Sequence, residues 1–275
     1  MNLLFTADRG YREHVRDCIQ SIVRFPAEGG YDAYILHSDF TAADQAEFED
    51  RFAEDIRFHF IRVEADHLAG FPETPRYPRV IYYRIFAAAL LPENLDRILY
   101  LDGDTIVINP LDELYHMDFE GNDILACTHI RKVLNKINQL RLGMEEEHVY
   151  INSGVMLMNL KALRKHQSFG DVAEYVEKKK HLLSLPDQDV IAALYGDRIG
   201  LLDTMIYNLS DRMLAVYHSD PRHAKRDLDW VRKHTVIIHY CGKQKPWAGS
   251  YFGRLDVFYR ELKEENPPGE PEAAG

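Results

Sequence analysis

Arg97-Ile98-Leu99-Tyr100-Leu101-Asp102-Gly103-Asp104 decides the fold. The apolar residues behind Arg97 follow one another without alternation, which marks a strand buried on both faces. That strand runs straight into an Asp-Gly-Asp triplet. In open α/β sheets, ligands gather beyond the carboxyl ends of strands. Carboxylates at i and i+2 point to one side if the chain stays extended. The glycine between them lets the backbone turn closely against a ligand. Two hard oxygen donors suit Mg²⁺ or Mn²⁺, which take their remaining ligands from phosphate and water. An Asp-Gly pair is also ordinary turn punctuation, so the triplet gains its weight from the strand in front of it.

Working outward, the first 65 residues alternate strand and helix patterns. Leu3-Leu4-Phe5 fits a buried first strand, and Val15, Cys18, Ile19, Ile22 and Val23 recur at helical spacing. That helix ends near Pro26 and Gly29-Gly30. Tyr34-Ile35-Leu36 is a second strand, Thr41 to Phe52 a helix capped by Thr41, and Phe58 to Val63 a third strand. Such alternation implies parallel crossovers and a sheet covered on both faces. Gly70, Pro72, Pro75 and Pro78 break residues 66 to 79 into a loop, and a helix is expected from Val80 to Leu90. Further strands are expected at Ile124 to Cys127, Val149 to Leu160 and Thr235 to Tyr240. Helices are expected at Asp171–Leu183 and Gln188–Tyr195, and the polar stretch 131 to 147 has helical potential and could cover a site. We expect one α/β domain over 1–263 and a disordered, acidic, Pro-rich tail over 264–275.

The chain has 275 residues, with 33 Lys+Arg against 44 Asp+Glu, a formal charge of −11. This balance argues against a nucleic-acid binder that works by broad phosphate neutralisation. An anionic ligand must therefore meet a locally built cationic site. No apolar run approaches the ~18 residues of a membrane span. The N-terminus lacks a signal-peptide pattern, so a cytoplasmic chain is the simplest expectation. The three cysteines, Cys18, Cys127 and Cys241, are widely spaced and suggest neither a disulfide framework nor a zinc knuckle. Lys178-Lys179-Lys180 reads as a solvated helix face.

The second informative stretch is His239-Tyr240-Cys241-Gly242-Lys243-Gln244-Lys245-Pro246-Trp247, after the late strand. Thr235, Ile237 and His239 share one face of that strand, which puts His239 at its end as a possible metal ligand. Gly242 would let a backbone N–H approach a phosphate, and Lys245 would supply a point charge. Taken singly, one of 13 histidines is more often a surface or core residue. Lys-Pro-Trp alone would be a turn with a packed indole.

Together, Tyr100-Leu101-Asp102-Gly103-Asp104 and His239-x-x-Gly242-x-x-Lys245-Pro246-Trp247 resemble glycosyltransferase family 8, over a span from Leu3 to about Tyr259. The resemblance implies a GT-A type, Rossmann-like nucleotide-binding fold with a mixed, mostly parallel central sheet and helices on both faces. It implies a UDP-sugar donor, a Mn²⁺ ion (with Mg²⁺ as the other candidate) and retention of anomeric configuration. By the same resemblance, Asp102, Asp104 and His239 are metal ligands, and Gly103 lies in the donor loop. Gly242 and Lys245 meet the diphosphate. Thr6, Ala7, Asp8 and Tyr11 match the uridine site, with Asp8 on the uracil N–H and Tyr11 on the ring. Asp8 alone would be taken for a helix cap, and Tyr11 for its packing partner. Arg84 matches an arginine that reaches the donor; alone it would be a solvated cation on an amphipathic helix. Asn152 and Ser153 match the sugar-contacting turn. Asp187 and Gln188 match the catalytic pair beside the anomeric carbon, although Pro then Asp is also ordinary helix capping.

Gly10 stands where relatives often carry Asn, and His129 where the lipooligosaccharide enzymes carry an Asp near the acceptor. The basic, aromatic C-terminal segment that some relatives place on membranes is missing, which argues against membrane attachment by that route. The expected activity is a metal-dependent hexosyl transfer, of glucose or galactose, to a glycan or other hydroxyl acceptor. Gln188 would be a feeble nucleophile, which favours front-side attack with Gln188 as stabiliser. Two other functions fit parts of the sequence. Leu101-Asp102-Gly103-Asp104-Thr105 also suits a haloacid-dehalogenase-type phosphatase, though there the motif normally opens the chain and the His239–Trp247 segment has no task. A non-catalytic sugar-nucleotide binder would keep the same residues.

Overall fold

The computed structural model describes residues 1–64, 68, 70–75, 77–130, 132–249 and 251–265. Its strands, in chain order, are β1 (Asn2–Ala7), β2 (Tyr31–His37), β3 (Ile56–Arg62), β4 (Arg97–Leu101), β5 (Thr105–Val107), β6 (Ile124–Cys127), β7 (Asn152–Asn159), β8 (Ile199–Leu201) and β9 (Ile237–His239). The main sheet has seven strands in the order β3-β2-β1-β4-β7-β6-β8. Strands β3, β2, β1 and β4 run parallel, with Leu4 opposite Tyr34 on one side and Tyr100 on the other. Strand β7 is antiparallel to both β4 and β6, whereas β8 is parallel to β6. The sheet is thus mixed and mostly parallel, as expected. A separate two-stranded ribbon pairs β5 with β9, Thr105 opposite His239.

The unbroken apolar runs explain this arrangement. Alternate residues of β1 and β4 feed opposite faces: Leu4, Ile98 and Tyr100 join one apolar cluster, and Leu3, Phe5, Leu99 and Leu101 the other. Each large side chain so buried contributes about 1.5–3 kcal/mol, which selects a sheet covered on both sides. Helix Arg12–Ile22 buries Val15, Cys18, Ile19 and Ile22. Helix Ala42–Phe52 starts with a capping box, in which Thr41 and Asp44 each accept from the other's backbone N–H. A third cluster, including Ile106, Ile238, Tyr240, Phe258 and Leu262, seats the β5–β9 ribbon.

Several boundaries move. The expected helix from Val80 to Leu90 is a 3-10 helix over Arg79–Phe86 followed by a short α-helix, Ala87–Leu90. Val80, Ile81, Tyr82 and Tyr83 are β-branched or aromatic and lose side-chain freedom in a regular α-helix. Strand β7 begins at Asn152 rather than Val149, because the Val149 and Tyr150 N–H groups bond to Gly196 O and Asn135 Oδ1 instead. Ser168 caps helix Phe169–Lys179, which shifts it ahead of the expected Asp171–Leu183. The late strand shortens to β9. The final helix, Asp256–Glu265, reaches past the expected domain end at 263. The rest of the expected tail, 266–275, lies outside the described residues.

Candidate active site

Strand β4 delivers Asp102 to the carboxyl edge of the sheet, and a tight turn returns the chain as β5. Thr105 N–H and Oγ1–H both donate to Asp102 O, at 3.1 and 2.8 Å. This turn brings Asp104 beside Asp102. Pairing of β5 with β9 then brings in His239, whose Nε2 lies 3.1 Å from Asp104 Oδ1 and 3.7 Å from Asp102 Oδ2. One ligand atom from each of the three lies within 4.8 Å of the other two. Two hard carboxylate oxygens and an imidazole nitrogen form a donor set suited to Mn²⁺ or Mg²⁺, with room left for phosphate and water. The residues present therefore fit the metal that the resemblance implies.

The charges around this triad are dense. Arg84, buried on the 3-10 helix, places Nη1 2.8 Å from Asp102 Oδ1 and 3.3 Å from Asp187 Oδ2. Its guanidinium stacks 4.5 Å from the centre of the Tyr100 ring. It is not the solvated cation that a lone helix pattern suggests. Burial opposes its charge, but Asp102 and Asp187 outweigh burial and keep it protonated. Lys245 Nζ bonds to Asp104 Oδ2 and, at 2.8 Å, to Tyr240 O. Burial alone would raise the Asp104 carboxyl, yet His239 and Lys245 hold it below the usual carboxylate range. Asp187 goes the other way: desolvation raises it, and Arg84 offsets only part of that. Three carboxylates thus face two fixed cations, which leaves negative charge for a metal to offset.

The predicted sugar-side residues converge on the same place. Asn152 and Ser153 open β7, beside β4. Ser153 Oγ–H donates to Asp187 Oδ2 at 2.8 Å, and its N–H points at Gln188 Oε1 at 3.4 Å. Asp187 and Gln188 sit buried in the first turn of helix Pro186–Tyr195. Pro186 stands at the helix start, where its missing N–H is no loss.

The predicted nucleoside residues lie at the end of β1 and in the turn after it. Thr6 Oγ1 pairs with Tyr100 Oη at 3.1 Å, and Tyr100 O–H donates to Asp102 Oδ1 at 2.6 Å. Ala7 is buried. Asp8 caps the 3-10 turn Arg9–Tyr11 by accepting from Tyr11 N–H. The Tyr11 ring lies over Gly103, where an added Cβ would sit 3.1 Å from its edge. Burial raises the Tyr11 phenol and keeps it neutral. Gly242 is exposed with φ 118°, a conformation that favours glycine. Trp247 stacks on His14 at 3.9 Å, which brings the Lys245-Pro246-Trp247 segment against the start of helix Arg12–Ile22.

Sequence reading missed two residues here. Tyr100 was only a strand residue, yet it links Thr6 to Asp102. Gly154, next to the expected Asn152-Ser153 turn, was given no role, yet a Cβ there would lie 2.2 Å from His239 Cε1 and 2.7 Å from Asp102 Oδ2. The available signal was the Asn-Ser-Gly opening of an otherwise apolar strand. His129 donates from Nε2 to Asn208 O at 2.8 Å.

The fold and this sequence have known counterparts. The family model for glycosyl transferase family 8 matches residues 2–250. A lipopolysaccharide 1,2-glucosyltransferase of Escherichia coli K12 is 26% identical over 274 residues, which cover 98% of this chain and 78% of that protein. General stress protein A of Bacillus subtilis is 22% identical, over 90% of this chain and 87% of its own length. Among solved structures, the galactosyltransferase LgtC, in complex with donor and acceptor sugar analogues, superposes with a TM-score of 0.82 at 25% identity. That match covers 99% of this chain and 98% of LgtC. The architecture is the GT-A type.

Proposed function

The chain belongs to glycosyltransferase family 8, and on that footing we propose that it moves a hexose, glucose or galactose, from a UDP-sugar to a hydroxyl acceptor with retention of configuration. The observation that carries this reading is the convergence of Asp102, Asp104 and His239 beside Lys245 and opposite the Asp187–Gln188 pair. A Mn²⁺ or Mg²⁺ ion on the triad would supply charge neutralisation for a leaving diphosphate.

The chain's own residues do the rest. Thr6 and Ala7 at the end of β1, with Asp8 and Tyr11 in the turn that follows, lie next to the triad and would hold the nucleoside end of the donor. Lys245 and the Gly242 backbone would meet the diphosphate, with Lys245 turning from Asp104 to the added negative charge. Arg84 bridges Asp102 and Asp187 and so sets their spacing. Asn152, Ser153 and Asp187 would orient the sugar through its hydroxyls. Positive charge develops on the sugar as its C1–O bond breaks, and the Gln188 carbonyl oxygen offers a dipole to stabilise it. An amide is a feeble nucleophile, which favours attack from the side of the departing phosphate. The acceptor is a glycan or another hydroxyl compound; the glycosyltransferase relatives that act on lipopolysaccharide support a saccharide.

The test is UDP release from a panel of UDP-sugars, with Mn²⁺ or with EDTA, in the wild type and Asp104→Ala. Slow donor hydrolysis needs no known acceptor. Mn²⁺-dependent release from one donor, abolished by EDTA and by the substitution, is the expected result. Mg²⁺-dependent cleavage of phosphate esters without UDP release would replace this reading with the phosphatase. Tight UDP-sugar binding without turnover, whatever acceptor is offered, would leave a binder.

A further inference from the structure

Asn208 is fully buried, and each of its polar groups is engaged. Its backbone N–H donates to Thr204 O at 3.3 Å, and its backbone O accepts from His129 Nε2. The side chain spans two partners: Oδ1 lies 2.9 Å from His239 Nδ1, and Nδ2 lies 2.9 Å from Asn152 Oδ1. The orientation of this amide follows from its neighbours. Gly154 N–H, a fixed backbone donor, points at Asn152 Oδ1 from 3.2 Å. The atom of Asn152 there is therefore an oxygen, and the Asn208 atom facing it must be the NH₂. Asn208 then turns its oxygen to His239. An oxygen only accepts, so His239 Nδ1 carries a proton, which leaves Nε2 as the nitrogen that could ligate a metal held with Asp102 and Asp104. At the other end, Asn152 Nδ2 reaches Gln188 Oε1 at 3.4 Å.

We propose that Asn208 is a positioning residue: it holds His239 in the tautomer that ligates metal, and ties that ligand through Asn152 to Gln188 on the sugar side. The inference rests on the metal-dependent reading above. Partners of this kind fix ring orientation, and losing one typically costs 10–100-fold in metal affinity.

The two halves of the proposal separate in two variants. Asn208→Leu removes both contacts at similar volume. Asn208→Asp keeps an acceptor for the Nδ1 proton but faces Asn152 Oδ1 with a second oxygen. Mn²⁺ binding to the full chain in the presence of UDP is read from the free-Mn²⁺ paramagnetic resonance signal, with thermal melting as a folding control. Asn208→Leu is expected to weaken Mn²⁺ binding about 10–100-fold. Asn208→Asp is expected to keep wild-type Mn²⁺ affinity while kcat for donor hydrolysis falls by about tenfold or more. Wild-type Mn²⁺ affinity in Asn208→Leu overturns the proposal. If Asn208→Leu does not fold, Asn208→Asp decides alone: loss of Mn²⁺ affinity, or unchanged turnover, overturns it. A wild type that binds no Mn²⁺ with UDP overturns the metal reading itself, which is a different result from variants that match a metal-binding wild type.

Discussion

Gly154 shows how a single hydrogen in place of a methyl can decide a site. The side chains of His239 and Asp102 occupy the volume that its Cβ would need, at 2.2 and 2.7 Å. Neither neighbour is the loose end of a flexible chain, because β9 pairing fixes His239 and Arg84 with Tyr100 fixes Asp102. Gly154→Ala is expected to push His239 off the triad while leaving the apolar core intact. Mn²⁺-dependent UDP release should fall about 100-fold, the cost of a displacement near 1 Å, and the thermal midpoint should drop with it, because the displaced groups are held in place and overpacking costs about 1–3 kcal/mol. Steady-state kinetics and a melting curve check both halves. Asp102, Asp104, His239 and Lys245 come together as the two motifs that carry the resemblance lead one to expect, because each motif keeps its residues within a few positions of one another. Gly154 and Asn208 were not legible in the sequence, because their partners are brought together only by folding: Asn208 and His239 lie 31 positions apart.

At the scale of the element, helix Pro186–Tyr195 is aimed by a buried carboxylate that touches no expected substrate group. Asp189 is wholly buried, and Arg141 grips it with two bonds of 2.8 and 2.9 Å. Tyr150 O–H and the Ser184 and Leu185 N–H groups complete its shell. This cluster pins helix Lys132–Leu142, the 182–185 turn and the residues just before β7 to the helix that presents Asp187 and Gln188. Within the stretch 131 to 147, where helical potential was expected, residues 132–142 form a helix, and its Arg141 belongs to this clamp. Removing one partner of such a pair leaves a buried charge unmatched. Arg141→Met should lower unfolding stability by about 3 kcal/mol, seen as a lower urea midpoint at an unchanged slope. Helix positions were legible from capping residues such as Thr41 and Ser168. The 3-10 character of Arg79–Phe86 was not, since apolar spacing there suits either winding.

Across the whole molecule, several histidines are held neutral by burial. Desolvation lowers His14 and His37, and it brings His129 down to about 3, helped by His239. A histidine with a depressed folded pKa binds fewer protons folded than unfolded. Its stabilising effect is therefore complete above the unfolded value near 6.5 and is lost as pH falls from there toward about 3. Asp44, lowered to about 2 by Thr41, adds a second loss at lower pH, between its ordinary value of 3.8 and 2. The urea midpoint should accordingly drop between pH 7 and pH 5, and His129→Gln should flatten that drop. A midpoint independent of pH over this range would contradict the burial of these rings.

The sequence by itself determined the alternation of strand and helix, the burial of the central strands on both faces, and the placement of Asp102 and Asp104 beyond a strand end. These are encoded by neighbours along the chain, through periodicity, capping and unbroken apolar runs. Only the tertiary structure decided that β7 enters antiparallel between β4 and β6, that β5 meets β9, and that Arg84 is buried between Asp102 and Asp187. Pairings of that kind depend on which distant faces bury one another, and no local pattern of residues carries that information.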